Sequence, residues 1–270
     1  VECGTIAAMA WDPSCYLRFG AQRLRPAAEL LARVPLTAPD SIVDLGCGPG
    51  NATRLLADRW PLAELTGVDR SSEMLAKARR DGPDAGWVEA DLADWTPDRR
   101  CDLVYSNATL HWLDHHDVLF PRLMTFLRPG GVLAVQMPRN FAAPSHVLLR
   151  DTAASGPWAA QLANVLQEDP VGEPAFYYGL LSGSASSIDI WETEYLQVLE
   201  GEDAVLNWVR GTALRPVIET VDAEALGAFE ARYAERLRAA YPRRPEDGRT
   251  LFPFARLFVI AVARDETPGR

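Results

Sequence analysis

The chain has 270 residues, 48% hydrophobic and 24% charged, a composition that supports a globular protein with a sizeable core. Its net charge of −10 repels phosphate backbones, so nucleic acid is not an expected partner, and any anion site must be built locally. No apolar run reaches the ~18 residues of a membrane-spanning helix, so no membrane partner is expected either.

The opening VECGTIAAMA lacks the basic start and long apolar core of a signal peptide, and Met9 is an alternative start. Cys3, Cys15, Cys47 and Cys101 show no metal-ligand spacing, so they read as reduced thiols of a cytoplasmic protein that holds no metal. YLRFGAQRLRP then gathers Arg18, Arg23 and Arg25 ahead of Pro26, which the pattern places at the first position of a helix. Ala27, Leu30, Leu31 and Val34 give that helix an apolar stripe. Arg25 has Glu29 four residues on, a surface partner if it serves no ligand.

From residue 41 the pattern alternates. Strands are expected at 41–46, 64–69, 86–91, 101–107 and 130–138, with helices at 51–60, 71–80 and 115–127 between them. His115 and His116 are expected as solvated residues at a helix start. Such alternation predicts an α/β fold with a doubly wound, mostly parallel sheet. Farther on, 145–167 and 202–240 read as helical, with strands at 187–199 and 251–264. We expect one catalytic domain in three parts: a helical cap over 1–40, a core over 41–144, and over 145–270 a helical lid plus the last two of seven strands.

The strongest local signal is VDLGCGPGNAT at 43–53, a buried strand running into a glycine turn and a helix. Glycine is required where the backbone approaches a ligand closely or adopts positive φ. Its G-x-G-x-G spacing differs from the G-x-G-x-x-G of dinucleotide sites. Asp69 ends the second strand, placed to accept ribose hydroxyls. Asp91 ends the third strand and Leu92 follows it, where the two suit an adenine edge, and Met74 lies one turn into the second helix.

This constellation resembles the class I S-adenosylmethionine-dependent methyltransferases, whose fold is a Rossmann-like seven-stranded sheet. The resemblance implies that Asp44, Gly46, Cys47, Gly48 and Gly50 line the cofactor site and that Asp69 holds the ribose. It sets Arg70 and Met74 beside the adenine, Asp91 and Leu92 at its edge and Asn107 on the sulfonium side, with Trp112 also among the cofactor-binding residues. Arg25, ahead of the loop, would meet the cofactor carboxylate. With its flanks, among them WDPSCYLRFGAQRLRP, SNATLHWL, GTALRPVIE and YPRRPEDGRTLFPFARLFVIAVAR, the chain is similar to the trans-aconitate 2-methyltransferase family. That resemblance implies methylation of a small tricarboxylate to its monomethyl ester, with S-adenosylhomocysteine as coproduct.

A carboxylic acid of pKa near 4 is already ionised at neutral pH, so no general base is needed. The carboxylates that do not react call for arginine forks. Candidates are Arg18, Arg23, Arg139 and Arg215; Arg256 lies inside a strand and is set aside. Trp11, Tyr16, Tyr177, Tyr178 and Trp208 are expected to wall the acceptor, as is Trp112. Asn107 and His111 are the candidate catalytic residues. His111 either orients a carboxylate or, in a competing reading, serves as base for a hydroxyl acceptor. A third reading is a cofactor-binding sensor without transfer.

Overall fold

The computed structural model describes residues 20–166 and 169–265, with side chains from Leu24 onward. Trp11, Tyr16, Arg18 and the side chain of Arg23 lie outside the described residues.

In chain order the elements are α1 (Gly20–Ala32), β1 (Ser41–Leu45), α2 (Asn51–Arg59), β2 (Glu64–Asp69), α3 (Ser72–Asp81), β3 (Gly86–Glu89) and β4 (Cys101–Asn107). A single 3-10 turn (Leu110–Trp112), α4 (His116–Thr125) and β5 (Leu127–Pro138) follow. Then come α5 (Pro144–Ala154), α6 (Ala159–Leu162), α7 (Pro174–Leu181), β6 (Ala185–Leu199), α8 (Ala204–Arg210), α9 (Arg215–Thr220), α10 (Ala223–Ala240) and β7 (Thr250–Ala263).

The seven strands form one sheet in the order β3-β2-β1-β4-β5-β7-β6. Pairs β1–β2, β2–β3, β1–β4 and β4–β5 are parallel, and β7 runs antiparallel to β5. All five residues of β1 are buried, as a central parallel strand covered on both faces requires. Strand order reverses beside β1, which makes its carboxyl end the switch point where such sheets bind ligands. Local chemistry starts the helices: Ser71 Oγ accepts the Met74 N–H to cap α3.

The chain divides into two compact units. A sheet unit takes Arg23–Arg139, Pro170–Thr193 and the segment from Arg256 on; a helical unit takes Asn140–Asp169 and Glu194–Ala255. This differs from the expected three-part division: α1 and α7 belong with the sheet, and β6 and β7 each pass from one unit into the other.

The helical unit has its own aromatic core. Trp208, 1% exposed, packs among Phe252, Phe254 and neighbouring aliphatics, and Trp158 meets Phe229 edge-on at 5.1 Å. Its polar tips are met inside: Tyr233 Oη donates to the Ser145 carbonyl at 2.6 Å, and Tyr241 Oη accepts the Ser145 N–H at 3.0 Å.

Several expectations change. Pro26 sits inside α1, not at its first position. The 145–167 and 202–240 stretches are broken helices, interrupted near Gly156 and again at Gly211 and Val221. Helix α7 was not expected: PAFYYGLL is apolar all round and shows no period. His116 is buried, contrary to its expected solvation. Its Nε2 meets the Leu110 carbonyl at 2.9 Å, so Nδ1 accepts from Tyr177 Oη at 2.8 Å.

Candidate functional site

β1 delivers the glycine loop to the carboxyl edge of the sheet. There the N–H groups of Gly46 and Cys47 both donate to the Val68 carbonyl, at 2.7 and 3.1 Å, lashing the loop to β2. Gly46 has φ +71°, and a Cβ there would lie 2.1 Å from Thr109 Cγ2, so no other residue fits. Thr109 also donates its hydroxyl to the Gly46 carbonyl at 3.2 Å. Gly50, at φ +83°, starts α2 without a side-chain cap, which leaves the positive end of that helix facing the loop. Trp87 of β3 lies beneath: a Cβ on Gly50 or Gly67 would come within 2.9 or 2.6 Å of its ring.

Two aspartates organise the loop. Asp69 accepts the Gly48 N–H on Oδ2 at 2.8 Å and the Ser71 N–H on Oδ1 at 2.9 Å, clamping the loop to the start of α3. Asp44 is buried and accepts the Thr53 hydroxyl at 2.6 Å. Burial pushes its carboxyl up to about 7; the Thr53 hydrogen bond opposes this and the charge of Asp69 adds to it. Burial, with Asp44 and Asp69 close by, also pushes the Cys47 thiol well above its ordinary range, so it stays protonated and is no nucleophile.

Beyond the loop, Arg70 is exposed and Met74 half-buried. Exposed Asp91 accepts the Ala93 N–H at 2.9 Å, and buried Leu92 gives its carbonyl to Arg122 at 2.5 Å. At the end of β4 the Asn107 Oδ1 is buried and has no hydrogen-bond partner among the described residues. Ala108 follows in a left-handed conformation, φ +54°, a cost that a residue other than glycine bears only where something holds it. His111, 7% exposed, lies against exposed Trp112 with ring centroids 4.7 Å apart.

These groups fit a ligand that carries hydroxyls and a positive charge. Asp69 and the loop supply acceptors and close backbone approach, and the Asn107 oxygen supplies a buried lone pair.

The expected acceptor residues are scattered by comparison. Arg139 is held between Glu173 and Glu192. Arg215, in the helical unit, pairs with Glu219 at 2.6 Å. Tyr177 is buried against His116 and Phe120, whereas Tyr178 is exposed. Trp208 is a core residue of the helical unit. Arg25 is 66% exposed and pairs with Glu29 at 2.9 Å. Sequence reasoning passed over Thr53, Trp87 and Thr109. Of these only Thr53 had a local signal, a polar residue one turn into the helix that follows the glycine loop.

A methyltransferase domain family matches residues 42–131. The solved phosphoethanolamine N-methyltransferase 2 of Haemonchus contortus, in complex with S-adenosyl-L-methionine, shares the fold at TM-score 0.52 and 15% identity. That match covers 89% of this chain and 53% of that one. Fold and matched domain thus define a Rossmann-like methyltransferase. The trans-aconitate 2-methyltransferase of Azoarcus sp. (strain BH72) is 50% identical over 252 residues, 93% of this chain and 98% of that protein. The protein of the same name from Methylobacterium radiotolerans is 50% identical over 254 residues, covering 93% and 97%. The chain belongs to the trans-aconitate 2-methyltransferase family.

Proposed function

We propose that this enzyme methylates a carboxylate of trans-aconitate, giving its monomethyl ester and S-adenosylhomocysteine. The observation that carries this is 50% identity to a trans-aconitate 2-methyltransferase along 93% of the chain, a span that includes the helical unit as well as the sheet. Bound at the glycine loop, S-adenosylmethionine supplies a methyl group on a positively charged sulfur.

The chain's own residues bind and align. Asp69 would hold the ribose, Arg70 and Met74 the flanks of the adenine, Asp91 and Leu92 its edge, and Arg25 the cofactor carboxylate. Asn107 would turn its buried oxygen toward the cationic end, with Gly46, Cys47, Gly48, Gly50 and Asp44 shaping the floor. His111 and Trp112 stand just past Asn107 and would orient the acceptor. The acceptor carboxylate is ionised at neutral pH, so no side chain has to remove a proton. What remains is positioning, worth up to ~7–11 kcal/mol when the reacting atoms are held in line. Arg139 and Arg215 already face glutamates, so neither is our first choice for the other carboxylates. Cys47 and Cys101 are free thiols, which supports a cytoplasmic setting. Among the described residues no helix is long and apolar enough to cross a membrane, and no His, Cys, Asp or Glu cluster is arranged for a metal.

The test is to incubate the protein with S-adenosylmethionine and a panel of di- and tricarboxylates and phenols, with methyl esters read by mass spectrometry. The expected product is trans-aconitate monomethyl ester, formed at a rate flat from about pH 6 to 8. Turnover of a phenol alone, with a pH slope abolished in His111→Ala, would establish the hydroxyl-acceptor reading instead. Cofactor binding without any turnover would mark a sensor.

A further inference from the structure

Three polar side chains share one face of the sheet at the carboxyl end of its middle strands. Asn107 pairs in register with Gln136 across β4 and β5, and across β5 and β7 Gln136 pairs with Phe258 and Pro138 with Arg256. Registered partners, and residues two apart, project to the same side. Gln136 is 0% exposed and sits between buried Val135 and Met137, in a strand otherwise apolar at this end. Its Oε1 accepts from the Arg256 guanidinium at 3.4 Å, and Arg256 is itself 7% exposed. The Nε2 of Gln136 has no hydrogen-bond partner among the described residues, and neither has the Asn107 Oδ1 on the adjacent strand.

A buried amide with an unmet donor is costly, and two unmet groups side by side call for an occupant. The two are of opposite sense. Asn107 presents a lone pair, which suits the cationic end of the cofactor. Gln136 presents a hydrogen beside a fixed guanidinium, which suits an anion. A planar amide donor flanked by an arginine fork is the pattern that grips a carboxylate. Phe258, in register with Gln136, is buried and stacks at 4.7 Å on Trp191.

We infer that Gln136 and Arg256 form the carboxylate-binding pair of the acceptor site and hold a carboxylate that does not react. This rests on the substrate reading above. An arginine that gripped the reacting oxygen would withdraw the charge with which it attacks, so the pair serves an unreactive arm. Gln136 and Arg256 are then determinants of acid specificity, on the second and third strands from the one that carries the glycine loop.

The experiment is calorimetric titration of trans-aconitate into protein saturated with S-adenosylhomocysteine, with S-adenosylhomocysteine titrated alone as control. Gln136→Glu keeps the shape of the side chain and puts a permanent carboxylate against Arg256. It is expected to weaken trans-aconitate at least 30-fold while S-adenosylhomocysteine stays within twofold and the melting temperature holds. Arg256→Met is expected to do the same, and Gln136→Glu carries the test if that variant does not fold. Trans-aconitate affinity within threefold of wild type in Gln136→Glu would overturn the pair, as would a parallel loss of S-adenosylhomocysteine. Wild-type protein that binds no trans-aconitate would remove the substrate reading, and the pair with it. Binding by wild type and by the variants alike would remove the pair alone.

Discussion

In the sheet unit, buried polar groups gather at the carboxyl ends of the strands. Asp44, Asn107 and Gln136 stand there on adjacent strands, with hydrogen-bonding capacity on Asn107 and Gln136 left open. In the helical unit the buried phenols and indoles close on local backbone: Tyr233 and Tyr241 on Ser145, Trp158 on Thr152. Unmet buried side-chain atoms stand on Asn107 and Gln136 at the strand ends of the sheet unit, and in the helical unit on Asn140, whose Oδ1 has no partner among the described residues. Binding chemistry and folding stability should therefore separate between the units, and four measurements probe that separation.

The largest effect is expected from Trp208→Ala, which empties the middle of the helical core. It should cost ~3–5 kcal/mol by thermal melting. S-adenosylhomocysteine affinity of the protein that remains folded should stay within twofold, because Trp208 packs within the helical unit.

Next comes a pH dependence of opposite sign in the two units. His146 of the helical unit is pushed down to about 4 by burial and by Arg150. The unfolded chain takes up its proton near 6.5, so stability is whole above that pH and falls as pH drops toward 4, by up to about 3 kcal/mol. Asp44 of the sheet unit works the other way. Its folded pKa is raised to about 7, so its contribution is whole below about 3.8 and is lost as pH rises through 7, by up to about 4 kcal/mol. His116, also in the sheet unit and lowered by burial, partly offsets Asp44. Hydrogen exchange at pH 5 and pH 8 should show the helical unit firmer at the higher pH. Asp44→Asn should remove the sheet unit's opposing trend, and an unchanged profile in that variant would break the comparison.

Gly46→Ala should cut S-adenosylhomocysteine affinity about 100-fold, since both φ and Thr109 forbid the methyl group. Melting should shift less than for Trp208→Ala. The smallest effect belongs to Arg25→Met. Its exposed pair with Glu29 contributes under ~0.5 kcal/mol to stability. If Arg25 also meets the cofactor carboxylate, S-adenosylhomocysteine weakens several-fold in calorimetry; equal affinity would return Arg25 to the surface.

What could be read in the chain followed from how local each signal is. The strand, glycine turn and helix at 41–59 lie within one stretch, and positive φ leaves glycine as the natural residue there, so loop and sheet class were legible. Asp69 could be read as the acid that ends a strand beside that loop, but not that its oxygens accept the Gly48 and Ser71 N–H groups. His116 was not, because its partner Tyr177 is 61 residues on, in a helix with no apolar period. Gln136 reads in sequence only as an interruption of VLAVQMP. Arg256 reads as a strand residue, because the contact that joins the two spans 120 residues.

The place of β7 in the sheet also bears on how the protein is made. The ribosome releases β6 some fifty residues before β7, yet in the sheet β7 lies between β5 and β6. At ~5–20 residues per second, β5 presents a bare edge for several seconds while β6 waits without its neighbour. That interval is when a nascent chain is most open to pairing with the wrong strand. Arg256 travels on β7, so the acid-holding pair would be assembled last, and a chain stalled before residue 250 would carry a glycine loop with no grip on its substrate.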